Sequence, residues 1–312
     1  MTLGFDLLMR VYYNVIDPIF VRLRKQERLN DWASDGHPQT LDLNLSENLA
    51  KGAGAAMALQ RFRRVALRYD MRFGAENAQR AKRRATPMML DLSTCIDNEA
   101  FERILRRHSN RTLPKIRKAL RLNYSVRQFA LPMHVYDLHE VKISMPIRSG
   151  GPVAARWLLK PDDLATPAQT SVAADVPECP THWTVWWGVF LPEPGHMNGA
   201  LQTNERLVAY IKLTRCGDVV HYLDIMGHKD HLENGVMMLV HAHIVAWLQQ
   251  AAEPSAVGVK AIWYGALEHG VPGLITWKKR AGFVPVRVRL HLSADAGISE
   301  QKRLVEEVLE TT

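Results

Sequence analysis

The 312-residue chain carries a formal charge of +8 with 47% hydrophobic residues, enough apolar material for one large or two modest cores and too much for a chain disordered throughout. Three cysteines, Cys95, Cys179 and Cys216, stand at wide, unpatterned spacing, which excludes a disulfide framework or zinc ribbon and points to a reducing compartment. No uncharged apolar stretch reaches the roughly 18 residues of a spanning helix, so a soluble cytoplasmic protein is expected.

Residues 1–24 place Phe5, Leu8, Val11, Tyr12, Val15 and Ile19 at helical spacing and predict amphipathic helices bent at Pro18. Asp6 interrupts the run early and the basic residues Arg22, Arg24, Lys25 and Arg28 follow it, unlike a secretory signal. Such helices either pack on the rest of the protein or lie on the inner membrane surface with residues 1–28 toward anionic lipid. Residues 30–56, with Asp35, Gly36, Pro38, Gly52 and Gly54, read as a linker, so 1–56 forms an N-terminal unit and 57–96 a basic helical extension.

Between residues 61 and 127 there are eighteen Lys or Arg against six Asp or Glu, an excess of twelve that exceeds the whole-chain charge of +8. A segment of this kind is either an electrostatic footprint for a polyanion, such as tRNA or a phospholipid surface, or a solvated helical face. Within it, Phe101, Ile104 and Leu105 predict a helix over 97–108, and a second helix follows over 113–122 with Pro114 in its first turn and Thr112 as its cap. Val135 to Ser144 alternates as a half-exposed strand, and Met145 to Pro152 reads as a turn. Residues 160–180, rich in Ala, Pro, Thr and Asp, form a surface excursion. A strand resumes over 182–190, where Trp183, Trp186 and Trp187 are core residues, with a sugar-stacking platform as the alternative.

The stretch from Leu207 to Arg287 reads as strand, strand, helix, strand, helix, strand. Two apolar runs separated by Arg215-Cys-Gly-Asp218 form a hairpin ending near Ile225. After Gly227 and a charged loop, Gly235 opens a helix carrying Val236, Leu239, Val240, Ile244 and Leu248 on one face. A strand over 259–264, a glycine-marked loop, a helix over 274–280 and a last strand over 283–290 complete it. The first-turn N–H groups of the helix at Gly235 lack intrahelical partners and suit a phosphate or carboxylate.

This order, the closing Trp277-Lys-Lys-Arg-Ala-Gly-Phe283 and the paired helices around His108-Ser-Asn-Arg-Thr-Leu-Pro-Lys-Ile-Arg-Lys-Ala119 resemble the GNAT (Gcn5-related N-acyltransferase) superfamily, in particular its FemAB-like branch. The resemblance covers about residues 97–290. It implies an α/β (α+β) fold, a mixed, mostly antiparallel sheet flanked by helices over 97–295, here with the basic helical N-terminal extension and a C-terminal amphipathic helix over 296–312. It also implies an acyltransferase moving an acyl or aminoacyl group to an amine or hydroxyl acceptor, a small molecule or a carrier-bound substrate. The turn reads Leu232-Glu-Asn-Gly-Val-Met237, with only the first glycine of the superfamily's phosphate turn. Acyl-CoA therefore shares the donor role with aminoacyl-tRNA or a carrier-bound acyl group.

Amide-forming transfer needs a base, an oxyanion donor and an acid for the leaving atom. Asp224 or His228 is the candidate base, and Tyr264 the candidate acid or oxyanion donor. Ile225, Gly227, Asn234, Gly235 and Val236 would hold the donor, with Arg111, Arg117, His221 and Lys278 toward the acceptor. His221, His228 and His231 also admit a metal, but no HExxH pair is present and none is expected. The non-enzymatic alternative is a GNAT-shaped binding protein on RNA or a membrane surface.

Overall fold

A computed structural model describes residues 38–66, 69, 85–145, 147–148, 151–152, 160–268 and 272–292. The helices expected over 1–28 and 296–312 lie outside these residues, as does the basic run Arg80-Ala-Lys-Arg-Arg84. In chain order the larger elements are β1 (Thr40–Asn44), α1 (Gly52–Ala66), β2 (Pro87–Asp91), α2 (Asn98–His108), α3 (Thr112–Arg121), β3 (Ser125–Gln128), α4 (Val135–Ile143) and β4 (His182–Pro192). They continue with β5 (Glu205–Cys216), β6 (Val219–Gly227), α5 (Val236–Gln250), β7 (Ala261–Ala266), α6 (Pro272–Arg280), β8 (Val284–Pro285) and β9 (Arg287–His291).

Seven strands form one sheet in the order β8-β2-β7-β6-β5-β4-β3, antiparallel throughout except for the parallel pair β6 and β7. The expected mixed, mostly antiparallel sheet flanked by helices is present. The largest core lies on the face covered by α2, α3, α5 and α6, where Phe101, Leu113, Trp187, Ile211, Leu239 and Phe283 are buried. On the other face α1 covers Trp263, Val219 and Val288, and α4 covers Phe190, Leu207 and Tyr210. Helix α5 is buried almost all round, because Met238, His241 and Val245 join its apolar stripe in the core. Trp183 and Trp187 are core residues, as expected.

Four local expectations are corrected. The expected linker over 30–56 contains β1, which pairs in parallel with β9 from Thr40↔Arg287 to Asn44↔His291, and the first turn of α1. Glycines at 52 and 54 begin that helix rather than a loop. The segment from Val135 is a helix, not a strand: its buried residues Val135, Leu138, Val141 and Lys142 recur at three and four, a spacing that overrides the apparent alternation. Thr112 does not cap α3; Arg111 occupies the cap position, and the Thr112 hydroxyl is buried without a partner. The last strand is split, with Val284–Pro285 beside β2 and Arg287–His291 beside β1.

Candidate active site

Strands β6 and β7 pair at three positions only, Val219↔Ala261, Val220↔Ile262 and His221↔Trp263. Beyond them β6 continues to Gly227 along β5, with a register irregularity between Tyr222 and Asp224, while β7 breaks register against β2 between Trp263 and Ala266. The two strands therefore part, and aromatic side chains fill the wedge on the α5 face. Tyr264 lies 5.9 Å from Tyr222, 5.6 Å from Trp277 and 5.9 Å from Phe283, centroid to centroid. Beneath them, the buried His241 donates from Nε2 to Ala281 O at 2.9 Å, leaving Nδ1 to accept from the Tyr222 hydroxyl at 2.7 Å.

The α5 N-terminus stands above the opening. Residues Lys229–Asn234 form a 3-10 segment that ends on Gly235, whose φ of +88° is a left-handed conformation that glycine adopts without strain. The N–H groups of Met238 and Leu239 both return to Gly235 O at 3.0 Å. Those of Val236 and Met237 have no protein acceptor among the described residues. Helix α3 packs directly over this turn: a Cβ added at Gly235 would come within 2.6 Å of Lys115 O. A cavity of about 220 Å³ remains beside it, with Leu232, Met237, Met238 and Trp277 as apolar lining and Arg111, Lys115 and Arg280 as charged lining. None of these three cations has an ion-pair partner among the described residues, and no Asp or Glu lines the cavity. Two lining residues also carry buried polar atoms without partners, Thr112 Oγ1 and Trp277 Nε1. The cavity thus combines free amide donors, positive charge and unused hydrogen-bonding capacity with greasy walls, a donor set that fits a phosphate attached to an apolar or amide chain.

On the 3-10 segment, Asn234 donates to the Tyr124 hydroxyl at 3.0 Å, and that hydroxyl donates to His231 Nδ1 at 2.6 Å. Burial, with the neighbouring His228 ring, lowers the His231 pKa, and the bond from the Tyr124 hydroxyl to Nδ1 leaves the neutral ring's proton on Nε2. The half-buried His228 ring lies 5.5 Å from it and accepts the Asp230 N–H at Nδ1.

Several expected site residues lie elsewhere or are occupied. Asp224 is not a free base, because Lys142, itself 2% exposed, donates to its carboxylate at 2.8 Å and Tyr210 donates to it at 3.1 Å. His221 packs between Phe62 and Trp263 under α1, on the face away from His231, so His221, His228 and His231 do not form one metal-ligating group. Lys278 is buried and donates to Ala266 O at 2.8 Å, while Arg117 is exposed on α3 and does not line the cavity. Ile225 and Val236 pack into the main core, and Gly227 is tight against Leu232 and Met237. Lys115, Arg280 and Tyr124 were not among the expected site residues. The first two stand in the motifs that carry the resemblance; Tyr124 has no local signal and is brought in by the chain turn between α3 and β3.

A solved structure described as the crystal structure of FemX matches 65% of this chain and 59% of its own length, at 11% identity and a TM-score of 0.43. This chain spans about three fifths of the length of that structure. No protein-family model matches the sequence, and no curated protein does.

Proposed function

We propose that this chain is a GNAT-like transferase that moves an acyl or aminoacyl group from a phosphate-bearing donor to an amine acceptor. The observation that carries the reading is the conjunction of the parted β6 and β7 with an amide-and-cation cavity at the N-terminus of α5. The donor's phosphate takes the Met237 N–H group and the charges of Arg111, Lys115 and Arg280. Its chain follows the apolar wall toward the wedge beside Tyr264. At about 220 Å³ the cavity is below the roughly 300–1,000 Å³ of a site for a whole drug-sized ligand, so it holds one phosphate and the adjoining atoms of a larger donor. That is compatible with either acyl-CoA or aminoacyl-tRNA.

In the transfer, the acceptor nitrogen attacks the acyl carbonyl carbon, a C–N bond forms and the donor's C–S or C–O bond breaks. His228 accepts the proton lost by nitrogen at Nδ1, releasing the long bond from the Asp230 N–H as it does so. His231 offers Nε2–H to the developing oxyanion in its fixed neutral tautomer, and the Tyr264 hydroxyl protonates the leaving sulfur or oxygen. Asp224 is a positioning residue that anchors α4 to β6 at the irregular register.

The test is a thermal-shift comparison with acetyl-CoA and with a charged tRNA, followed by turnover. One donor is expected to raise the Tm of the wild type, and Lys115→Ala with Arg280→Ala to weaken that binding at least about tenfold, as loss of charge-assisted bonds implies. His228→Gln is expected to keep donor binding and lose about 10² to 10⁴ in kcat. Absence of stabilisation by either donor would overturn the reading.

A further inference from the structure

Helix α3 carries more positive charge than the cavity uses. From Arg103 to Arg127 the sequence has nine Lys or Arg and no Asp or Glu. Arg103 and Arg106 are neutralised by Glu99 and Glu102, each at 2.7 Å, and Arg127 by Glu205. The cations of α3 and its cap are exposed and have no acidic partner among the described residues: Arg111, Lys115, Arg117, Lys118 and Arg121. Spacings of four, three and four put Arg111, Lys115, Lys118 and Leu122 in one stripe that runs from the cavity to the C-terminus of the helix. Beside it stand Arg117 and Arg121. Leu122, 42% exposed, stands in this stripe, whereas Leu120, 50% exposed, lies on the opposite flank of the helix.

A basic face carrying an exposed aliphatic side chain has a specific complement. Surfaces that bind single-stranded RNA add aromatic rings that stack on bases, and α3 has no aromatic residue. An anionic bilayer offers both negative headgroups for the cations and an acyl boundary for Leu122. We propose that the exposed face of α3 docks this protein peripherally on an anionic membrane surface. Arg111 and Lys115 belong to both the docking stripe and the cavity, so the cavity lies beside the bilayer when the protein is bound. The inference does not depend on the transfer reaction, since it concerns binding without any donor.

The experiment is flotation of the full chain with vesicles of phosphatidylcholine containing about a third phosphatidylserine, against pure phosphatidylcholine, at low and raised salt. Binding is expected only to the anionic vesicles and to weaken with salt. The charge reversal Arg117→Glu, Lys118→Glu, Arg121→Glu is expected to reduce the bound fraction at least about tenfold with an unchanged Tm, since all three side chains are exposed. Leu122→Ser is expected to reduce it several-fold while leaving the salt dependence in place. Anionic-vesicle binding indifferent to both variants would assign docking to another segment and overturn the proposal. So would retention by bulk tRNA together with no binding to vesicles.

Discussion

Thr112 shows how one side chain separates a ligand's requirement from the fold's. Its hydroxyl is buried and partnerless beside the cavity, and an unsatisfied buried hydroxyl costs about 1–3 kcal/mol. Thr112→Val keeps the shape and removes that penalty, so the ligand-free variant is expected to be as stable as the wild type or about 1 kcal/mol more stable in urea unfolding. If the hydroxyl serves the donor, donor affinity falls at the same time. A variant both less stable and unchanged in binding would show that the hydroxyl has a partner in the fold. Lys142 and Asp224 make the opposite case. Both are largely out of solvent and each satisfies the other, so Lys142→Met strands the carboxylate and is expected to destabilise by about 3–5 kcal/mol. The double variant Lys142→Met, Asp224→Leu should recover most of that loss.

At the scale of elements, Gly235 is where α3 and α5 meet. Alanine there meets two obstacles, the positive φ and a backbone oxygen 2.6 Å from the new Cβ. Gly235→Ala is expected to destabilise by about 1–3 kcal/mol and, by displacing α3, to weaken donor binding through Lys115, which calorimetry of the folded variant would register. The glycine was legible in the sequence as the start of a helix following a charged loop; its neighbour was not, because the contact joins residues about 120 positions apart. The same contrast runs through the fold. The β5–β6 hairpin, α5, β7 and α6 were readable because each signal is local, a turn tetrad or an apolar period. β1 was hidden in a stretch whose glycines and acids look like a linker, and it becomes a strand only because β9 offers it an edge. Helix α4 was misread because Lys142 is buried to hold Asp224, placing a charged residue on the face where the pattern required an apolar one. Asp224 itself was a reasonable base by position on β6, and only the tertiary pairing removes it from that role.

For the molecule as a whole, two histidines buried on opposite faces of one sheet set how stability responds to acid. His221 under α1 faces Phe62 and Trp263; His241 under α5 faces Phe101, Trp277 and Phe283 and bonds Tyr222. No charged partner touches either ring among the described residues, and burial pushes each pKa down to about 4 from an ordinary 6.5. The folded state thus keeps both rings neutral between those values while the unfolded chain protonates them. The unfolded state binds more protons in that window, so stability rises with pH there: it is fully present above about 6.5 and is lost progressively as pH falls toward 4. Two such groups give a slope approaching about 3 kcal/mol per pH unit, a large share of the roughly 5–15 kcal/mol that holds a typical domain together. Urea unfolding at a series of pH values is expected to show that loss. His221→Phe, which suits its aromatic surroundings, should reduce the slope between pH 4 and 6.5 without abolishing it, because burial also lowers the pKa of His231 and His243. Asp137 contributes in a lower window, since bonds from His134, His196 and the Leu207 N–H outweigh its burial and hold its carboxyl below the ordinary range. A slope in the upper window left unchanged by the loss of both imidazoles would mean that His221 and His241 take up protons in the folded state as readily as in the unfolded chain.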